Sequence, residues 1–439
     1  MKDDQVRATA KAAVFFDGTG NNRTNSRRDP EKFGGLTNIN RLFDTCVLTD
    51  KVYIEGIGTR DGTDDSDWAK GTGNNPPGKS GFSYDDKLKK ALDFLKDFEK
   101  GHEGEDMELI IYGFSRGATL ARDFAKQALQ FVNIRIRFLG IYDTVMSLIR
   151  LIDPYPIIHF TDVEMGRIDQ ILHLTAIQET RKYFPLTSIQ YRNIATSRVV
   201  IEDYHTAKIK EIFVPGAHAD VGGGYLEKEE NLYLNPKGES YDAANRRLDE
   251  MVNTVKDSVL CGQQLIWLDL LKHVVIENGS TGNRLSSHRG KIKLDLPLVY
   301  FEVMALYSNF FLNENVFEYN TIAYDQALEV ARDSLLLYIK KNNENENENI
   351  CFNYEAFIAF IHISSFYDKI ATTDSTVNDW LNIFDPEQLV AEIERVKNEY
   401  PNEDFSSFNV DVIKEAFGID IINPNVPSNT GWSRSEIFR

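Results

Sequence analysis

Short apolar runs, dense in β-branched and aromatic residues, recur through the first half of the chain at positions 12–16, 51–57, 107–112, 135–142 and 209–214. Between several of them the apolar spacing changes to that of a helix. Residues 84–100 repeat Leu88, Leu92 and Leu95, and the segment after position 115 sets Leu120, Phe124 and Ala128 four apart beside Ala121, Ala125 and Leu129, so each presents one apolar stripe. Strands alternating with helices predict a mostly parallel sheet flanked by helices, an α/β fold. From about position 241 the strand signals fade. Helical patterns at 242–277, 298–312, 324–341 and 354–370 predict a division into an α/β core over 1–240 and a mainly helical cap and closing region over 241–439.

Three segments stand apart from this alternation. Residues 296–312, LPLVYFEVMALYSNFFL, form the longest apolar stretch, interrupted by Glu302, and read as a buried helix of the core or cap, with a lipid-facing lid as the sharper alternative. The tract NNENENEN at 342–349 holds no apolar residue to offset the entropy of ordering and reads as a mobile surface loop. The turn-rich tail PNVPSNTGWSRSEIFR at 424–439 suits a segment extended over the body.

Composition narrows the functions open to such a fold. With 439 residues, 42% hydrophobic and 26% charged, the chain can bury a large core, which excludes disorder as its main state. Its net charge of −18 is the wrong sign for gripping phosphate backbones, so nucleic acid is not expected as a partner, and attraction to an anionic membrane is disfavoured. Cys46, Cys261 and Cys351 are too few and scattered for a disulfide framework or a clustered zinc site. The N-terminus, MKDDQVRATAKAAVFFDG, lacks the apolar core of a secretory signal and reads as made in the cytoplasm.

The chemistry concentrates at MELIIYGFSRGA, residues 107–118. An apolar strand runs through Gly113-Phe114-Ser115-Arg116-Gly117 into a helix, the context that turns G-x-S-x-G into a nucleophile elbow, with flanking glycines removing side chains that would clash. A serine that merely capped the helix would not need both glycines. Ser115 then needs a histidine to take its proton and an acid to orient that histidine, in the chain order Ser, acid, His. Two acids end predicted strands: Asp143 in IYDTV and Asp220 in GAHADVGGGY. Asp220 is preferred, because the three glycines after it allow close backbone approach, while Asp143 suits a helix N-cap equally well. Among histidines, His362 in FIAFIHISSFYD is preferred as base. His273 lies in an apolar helical pattern and His288 in a polar segment read as a loop. The arrangement Ser115, Asp143, His218 remains the alternative triad. Two backbone N–H donors for an oxyanion are assigned to Arg116 and to Gly18 or Thr19 in the loop after the first strand.

Two decoys are set aside. GNNPPGKS at 73–80 fits a phosphate-loop pattern, but no apolar strand precedes it and two prolines remove N–H donors from the cradle. The acidic loop with Asp61, Asp64, Asp65 and Asp67 lacks the alternating spacing of a calcium site. No metal and no cofactor are expected.

Taken together, FFDGTGNN, GFSRGA, IYDTV and GAHADVGGGY resemble the α/β-hydrolase lipase group that includes the type VI secretion phospholipase effectors of bacteria. The resemblance covers about 12–225 and continues more weakly around Trp267, IHISS and WSRSEIF, with Ile363 where the family often carries an acidic residue. It implies an α/β-hydrolase-like fold, with Ser115 as nucleophile, Asp220 as acid and His362 as base. It further implies cleavage of acyl esters of membrane phospholipids, delivery without a signal peptide into a target cell's periplasm, a spike or adaptor partner and a cognate immunity protein. The alternatives are a soluble carboxylesterase or thioesterase, and a catalytically silent hydrolase fold used for binding.

Overall fold

The computed structural model describes residues 8–146, 158–181, 184–189, 208–235, 240–257, 271–272, 274–279, 282–341 and 352–364, with short pieces at 192–193, 198–199, 269 and 436–437. His205, Cys261, Trp267, His273, Cys351, the tract at 342–349 and all of the tail but 436–437 lie outside the described residues.

Six strands form one parallel sheet in the order β2-β1-β3-β4-β5-β9. They are β1 (Thr9–Phe16), β2 (Lys51–Ile54), β3 (Asp106–Phe114), β4 (Ile134–Tyr142), β5 (Ile171–Ala176) and β9 (Ile209–Val214). Two-residue strands β6 (Leu186–Thr187), β7 (Arg192–Asn193) and β8 (Arg198–Val199) intervene. Both faces are covered, which is why the strands read as nearly continuous apolar runs. In β1, Ala12, Val14 and Phe16 face one core, while Ala13 and Phe15 face the other. The same alternation separates Leu109 and Ile111 from Ile110 and Tyr112 in β3. In β4, Ile136 and Leu139 share a face although three apart. The β3–β4 register shifts there, pairing Leu109 with Ile136 and Ile110 with Phe138, so Arg137 is the extra residue of a bulge.

One face carries the helices Tyr84–Gly101 and Arg116–Ala128, whose Leu95, Leu120, Ala121 and Phe124 are buried. The other carries Asn38–Thr45 and Asp295–Leu312. The latter is the long apolar stretch, and it is core: Val299, Val303 and Met304 are buried, and Tyr112 of β3 donates to its Ser308 Oγ at 2.7 Å. The lid reading fails for this helix because its faces are already taken. Among the described residues no helix is long and apolar enough to cross a membrane.

Four elements depart from expectation. β5, ILHLTA, is a fully buried strand that a short apolar run cannot distinguish from helix. The pattern at 242–277 is helical over Tyr241–Asp257 but ends in strand β11 (Val274–Gly279). That strand joins β10 (Glu229–Tyr233) and β12 (Gly282–Lys291) in an antiparallel sheet. β12 was hidden because its buried alternation is Leu285, Ser287, Arg289, so His288 belongs to a strand and not to a loop. Within the described part of the last predicted helix, Tyr354–Phe357 is helical and is followed by a 3-10 turn, after which 361–364 are non-helical; 365–370 lie outside the described residues. β13 (Glu436–Ile437) pairs with β6.

Phe124 lies fully buried against Phe16, ring centroids 5.5 Å apart, beneath the sheet centre. Phe124→Ala is expected to lower unfolding free energy by about 3–5 kcal/mol, measured by urea denaturation followed by circular dichroism.

Candidate active site

The elbow is built from backbone. β3 ends at Phe114, the helix begins at Arg116, and Ser115 between them takes φ 58 and ψ −129, a strained conformation for a residue with a side chain. Its N–H donates to Tyr142 O at 3.0 Å, and its carbonyl accepts from Ala118 N at 3.0 Å and Val145 N at 3.3 Å. No side-chain bond from Ser115 caps the helix, so the hydroxyl is not spent on capping. The glycines are steric requirements: a Cβ at Gly117 would lie 2.3 Å from Asp17 O, and one at Gly113 would lie 2.6 Å from Ala118 Cα.

Asp143 follows β4 on the neighbouring strand end, with φ 41. Its Oδ1 accepts from Ala176 N at 2.8 Å and its Oδ2 from His218 Nδ1 at 2.6 Å. Residues 144–146 are not helical, so the N-cap alternative finds no helix there. Because a carboxylate only accepts, this contact puts the proton on Nδ1 and leaves Nε2 with its lone pair. The His218 ring sits 4.6 Å from Phe114 and 5.0 Å from Phe184. Burial pushes its pKa below the ordinary histidine value, against the raising effect of Asp143.

A second acid–histidine pair lies alongside. His362 Nδ1 meets Asp220 Oδ1 at 2.5 Å, and Asp220 Oδ2 accepts from Ala217 N and His362 N, each at 2.9 Å. The His362 ring stacks on Tyr225 at 4.2 Å, and its Nε2 is buried with no hydrogen-bond partner. Burial alone would lower its pKa, but the Asp220 carboxylate outweighs it and holds His362 above the ordinary value. Both predicted pairings, Asp143 with His218 and Asp220 with His362, are therefore formed.

Glu179 links the two, and sequence reasoning missed it. Its Oε2 accepts from His218 N at 3.3 Å, its Oε1 from Ser364 Oγ at 3.0 Å, and Arg181 pairs with it at 2.8 Å. Burial would raise its pKa, yet the Arg181 guanidinium keeps it low. The signal was its place just past β5, at the carboxyl edge where the other site residues lie. Recognising β5 would have exposed it.

The loop after β1 corrects one expectation. The Gly18 N–H donates at 2.8 Å to Asp17 Oδ1, so it is not a free oxyanion donor. Phe114 gathers the loops: a Cβ at Gly18 would lie 2.7 Å from its ring, and one at Gly222 only 2.0 Å. Of the unassigned histidines, His173 is held in the core by Glu211 at 2.8 Å, and His288 bonds Asn231. Among the described residues no three metal-ligating side chains are grouped. The 73–80 segment follows a helix, not a strand.

The sequence matches the family model described as "T6SS, Phospholipase effector Tle1-like, catalytic domain" over residues 11–130 and 123–254. The chain belongs to this family. This Tle1-like catalytic domain is similar in fold to a structure of the Tle1 effector bound to the VgrG spike of the type 6 secretion system, with 18% identity, TM-score 0.56, and 82% of this chain and 85% of that one covered. A crystal structure of an uncharacterized protein from Pseudomonas aeruginosa aligns at 21% identity and TM-score 0.34 over 51% of this chain and 42% of that one. No curated protein matches the sequence. The Tle1-like domain is thus an α/β-hydrolase-type fold of an ester hydrolase family, with Ser115 in its elbow.

In this Tle1-like domain Gly222→Ala would drive a methyl into the Phe114 ring. The expected result is a loss of about 1–3 kcal/mol in stability and a disproportionate fall in ester turnover, because the loop that moves carries His218. Parallel urea titrations and initial-rate assays check it.

Proposed function

We propose that this domain is a serine phospholipase that cleaves acyl esters of membrane phospholipids, with Ser115, His218 and Asp143 as its triad. The observation that carries the reading is the Asp143–His218 bond at 2.6 Å beside the elbow. In support, strained backbone is found at both Ser115 and Asp143, where it is stored at working sites. His218 Nε2 takes the Ser115 proton as Oγ attacks the acyl carbonyl, and Asp143 holds the ring and stabilises the imidazolium. The oxyanion is met by the N–H groups of Arg116 and Thr19. The imidazolium then protonates the departing lysolipid alkoxide, and water, deprotonated by the same histidine, releases the fatty acid from Ser115.

A second reading keeps Ser115 but uses Asp220 and His362, favoured by their 2.5 Å contact and the unpartnered Nε2. The two separate by electrostatics. A base must be neutral to accept a proton, so the acid limb of kcat/KM should lie at lower pH with His218, whose pKa is lowered by burial, than with His362, whose pKa is raised by Asp220.

Family membership supports delivery by a type VI apparatus into a target-cell periplasm, and the spike-bound relative supports a spike partner. A cognate immunity protein, and the division into a core over 1–240 and a cap and closing region over 241–439, complete the proposal. Soluble carboxylesterase or thioesterase activity and a silent binding fold are the rival outcomes.

Purified wild type, Ser115→Ala, His218→Ala and His362→Ala are incubated with mixed phospholipid vesicles, and released fatty acid and lysolipid are followed by mass spectrometry. Ser115→Ala and His218→Ala are each expected to lose about 10³-fold or more, with His362→Ala retaining measurable turnover. Loss in Ser115→Ala and His362→Ala, with His218→Ala retaining turnover, transfers the role to the second pair. Unchanged turnover by folded Ser115→Ala eliminates the serine mechanism.

A further inference from the structure

Asp17 is a buried carboxylate that the reaction described above does not use. It follows β1 directly at 1% exposure, one residue from Gly18 and two from Thr19. Four donors converge on it. Gly18 N and Thr37 Oγ1 reach Oδ1, each at 2.8 Å, Tyr53 Oη reaches Oδ2 at 2.6 Å, and Asn40 Nδ2 also bonds Oδ2. Its main-chain carbonyl is the atom against which Gly117 packs.

The elements joined there are those that shape the site. Thr37 bridges to Gly223, and Asn38 Nδ2 donates to Val221 O at 2.9 Å, which ties the Asp17 cluster to the loop bearing His218 and Asp220. Gly20 N donates to Ile57 O at 3.0 Å, closing the other side of the Thr19 turn. One carboxylate thus sets the conformation of the Gly18–Thr19 turn and its distance from the elbow.

The geometry points to Asp17 as a positioning residue whose ionised carboxylate holds the Thr19 oxyanion donor in place. This rests on the serine-hydrolase reading above. The Gly18 backbone N–H cannot turn round to accept, whereas the Thr37 and Tyr53 hydroxyls and the Asn40 amide can reorient. A protonated Asp17 must itself donate, so it loses one acceptor site among four donors. Burial raises its pKa to about 6, opposed by the four hydrogen bonds with Tyr53 foremost. The titratable and charged groups acting on it are Tyr53 from β2 and Arg41 from the Asn38–Thr45 helix, while the Arg116 guanidinium turns away to Lys70 O. Ionisation is complete above this value and lost as pH falls through it. The acid limb of kcat therefore contains two proton uptakes, one at His218 and one at Asp17.

The test is the pH dependence of fatty acid release from phospholipid micelles by wild type, Asp17→Asn and Tyr53→Phe, with folding checked by circular dichroism. Wild-type log kcat should fall on the acid side with a slope that exceeds one near the Asp17 pKa of about 6, where both proton uptakes contribute. Asp17→Asn removes the negative charge and replaces one acceptor oxygen by an NH2, facing either Gly18 N and Thr37 Oγ1 or Tyr53 Oη and Asn40, and should lower kcat about ten- to hundred-fold with KM within about two-fold and a slope of about one. Tyr53→Phe removes a bond that lowers the Asp17 pKa, so the limb should move to higher pH. This conservative change carries the test where Asp17→Asn does not fold. A wild-type kcat and slope in Asp17→Asn, or an unmoved limb in Tyr53→Phe, overturns the positioning role. If Ser115→Ala is inactive in the same assay, that failure leaves the serine mechanism standing.

Discussion

The close approach of two backbones, Gly117 against the carbonyls of Phe16 and Asp17, is the constraint from which the rest of the site follows. A Cβ at position 117 would stand 2.3 Å from Asp17 O, so only glycine lets the Arg116–Ala128 helix start directly beneath β1. Once the helix starts there, the chain leaving β3 has a single residue in which to reverse. Ser115 absorbs the whole turn at φ 58, at a cost of about 1–3 kcal/mol. The surrounding sheet over-determines it: the Ser115 N–H and C=O are both bonded to the β4 end, and Phe124 anchors the helix beneath. Strain at the serine is thus a product of core packing, not of the loop's own preferences.

Phe114 carries the same constraint to the other loops. Its side chain faces the core opposite to Phe16's, and two glycines, Gly18 and Gly222, approach its ring more closely than any side-chain-bearing residue can. His218 then stacks on the ring. The apolar ring removes water from His218 and lowers its pKa, while Asp143 keeps it oriented. Burial and pairing oppose each other in charge stabilisation, but they cooperate in holding a neutral, singly protonated imidazole.

The elbow was legible because its signal is doubly redundant: a strand pattern before it, a helix pattern after it, and two glycines whose steric roles the coordinates bear out. The parallel sheet was legible because strands covered on both faces are apolar without interruption. β5 was lost because its six residues, all buried with His173 and Thr175 among them, carry no period of their own, and with it went Glu179 and Arg181. The β10–β12–β11 sheet was lost for the opposite reason. Its central strand buries Ser287 and Arg289 on hydrogen bonds and ion pairs such as Arg289–Glu230, which leave no hydrophobic trace. Preference between the acid–histidine pairs could not be read from spacing, since partners 75 and 142 residues apart meet through strand order alone.

Two aspartate–histidine pairs in one site would be redundant if they had the same electrostatics, and they do not. Burial dominates at His218 and favours the neutral base; at His362 the Asp220 carboxylate, aided by Glu230, prevails and favours the cation. A cation there is suited to fastening. Asp220 caps its own loop through Ala217 N while accepting from both the backbone and the ring of His362, and Ile363 N donates to Glu230 at 2.9 Å. Segment 361–364 is thereby clamped to the loop that carries His218 by bonds that are strongest when His362 is charged. On the proposed triad, the demands of a base and of a clasp differ, and one sheet edge shifts its two histidines in opposite directions, His218 downward by burial and His362 upward by Asp220.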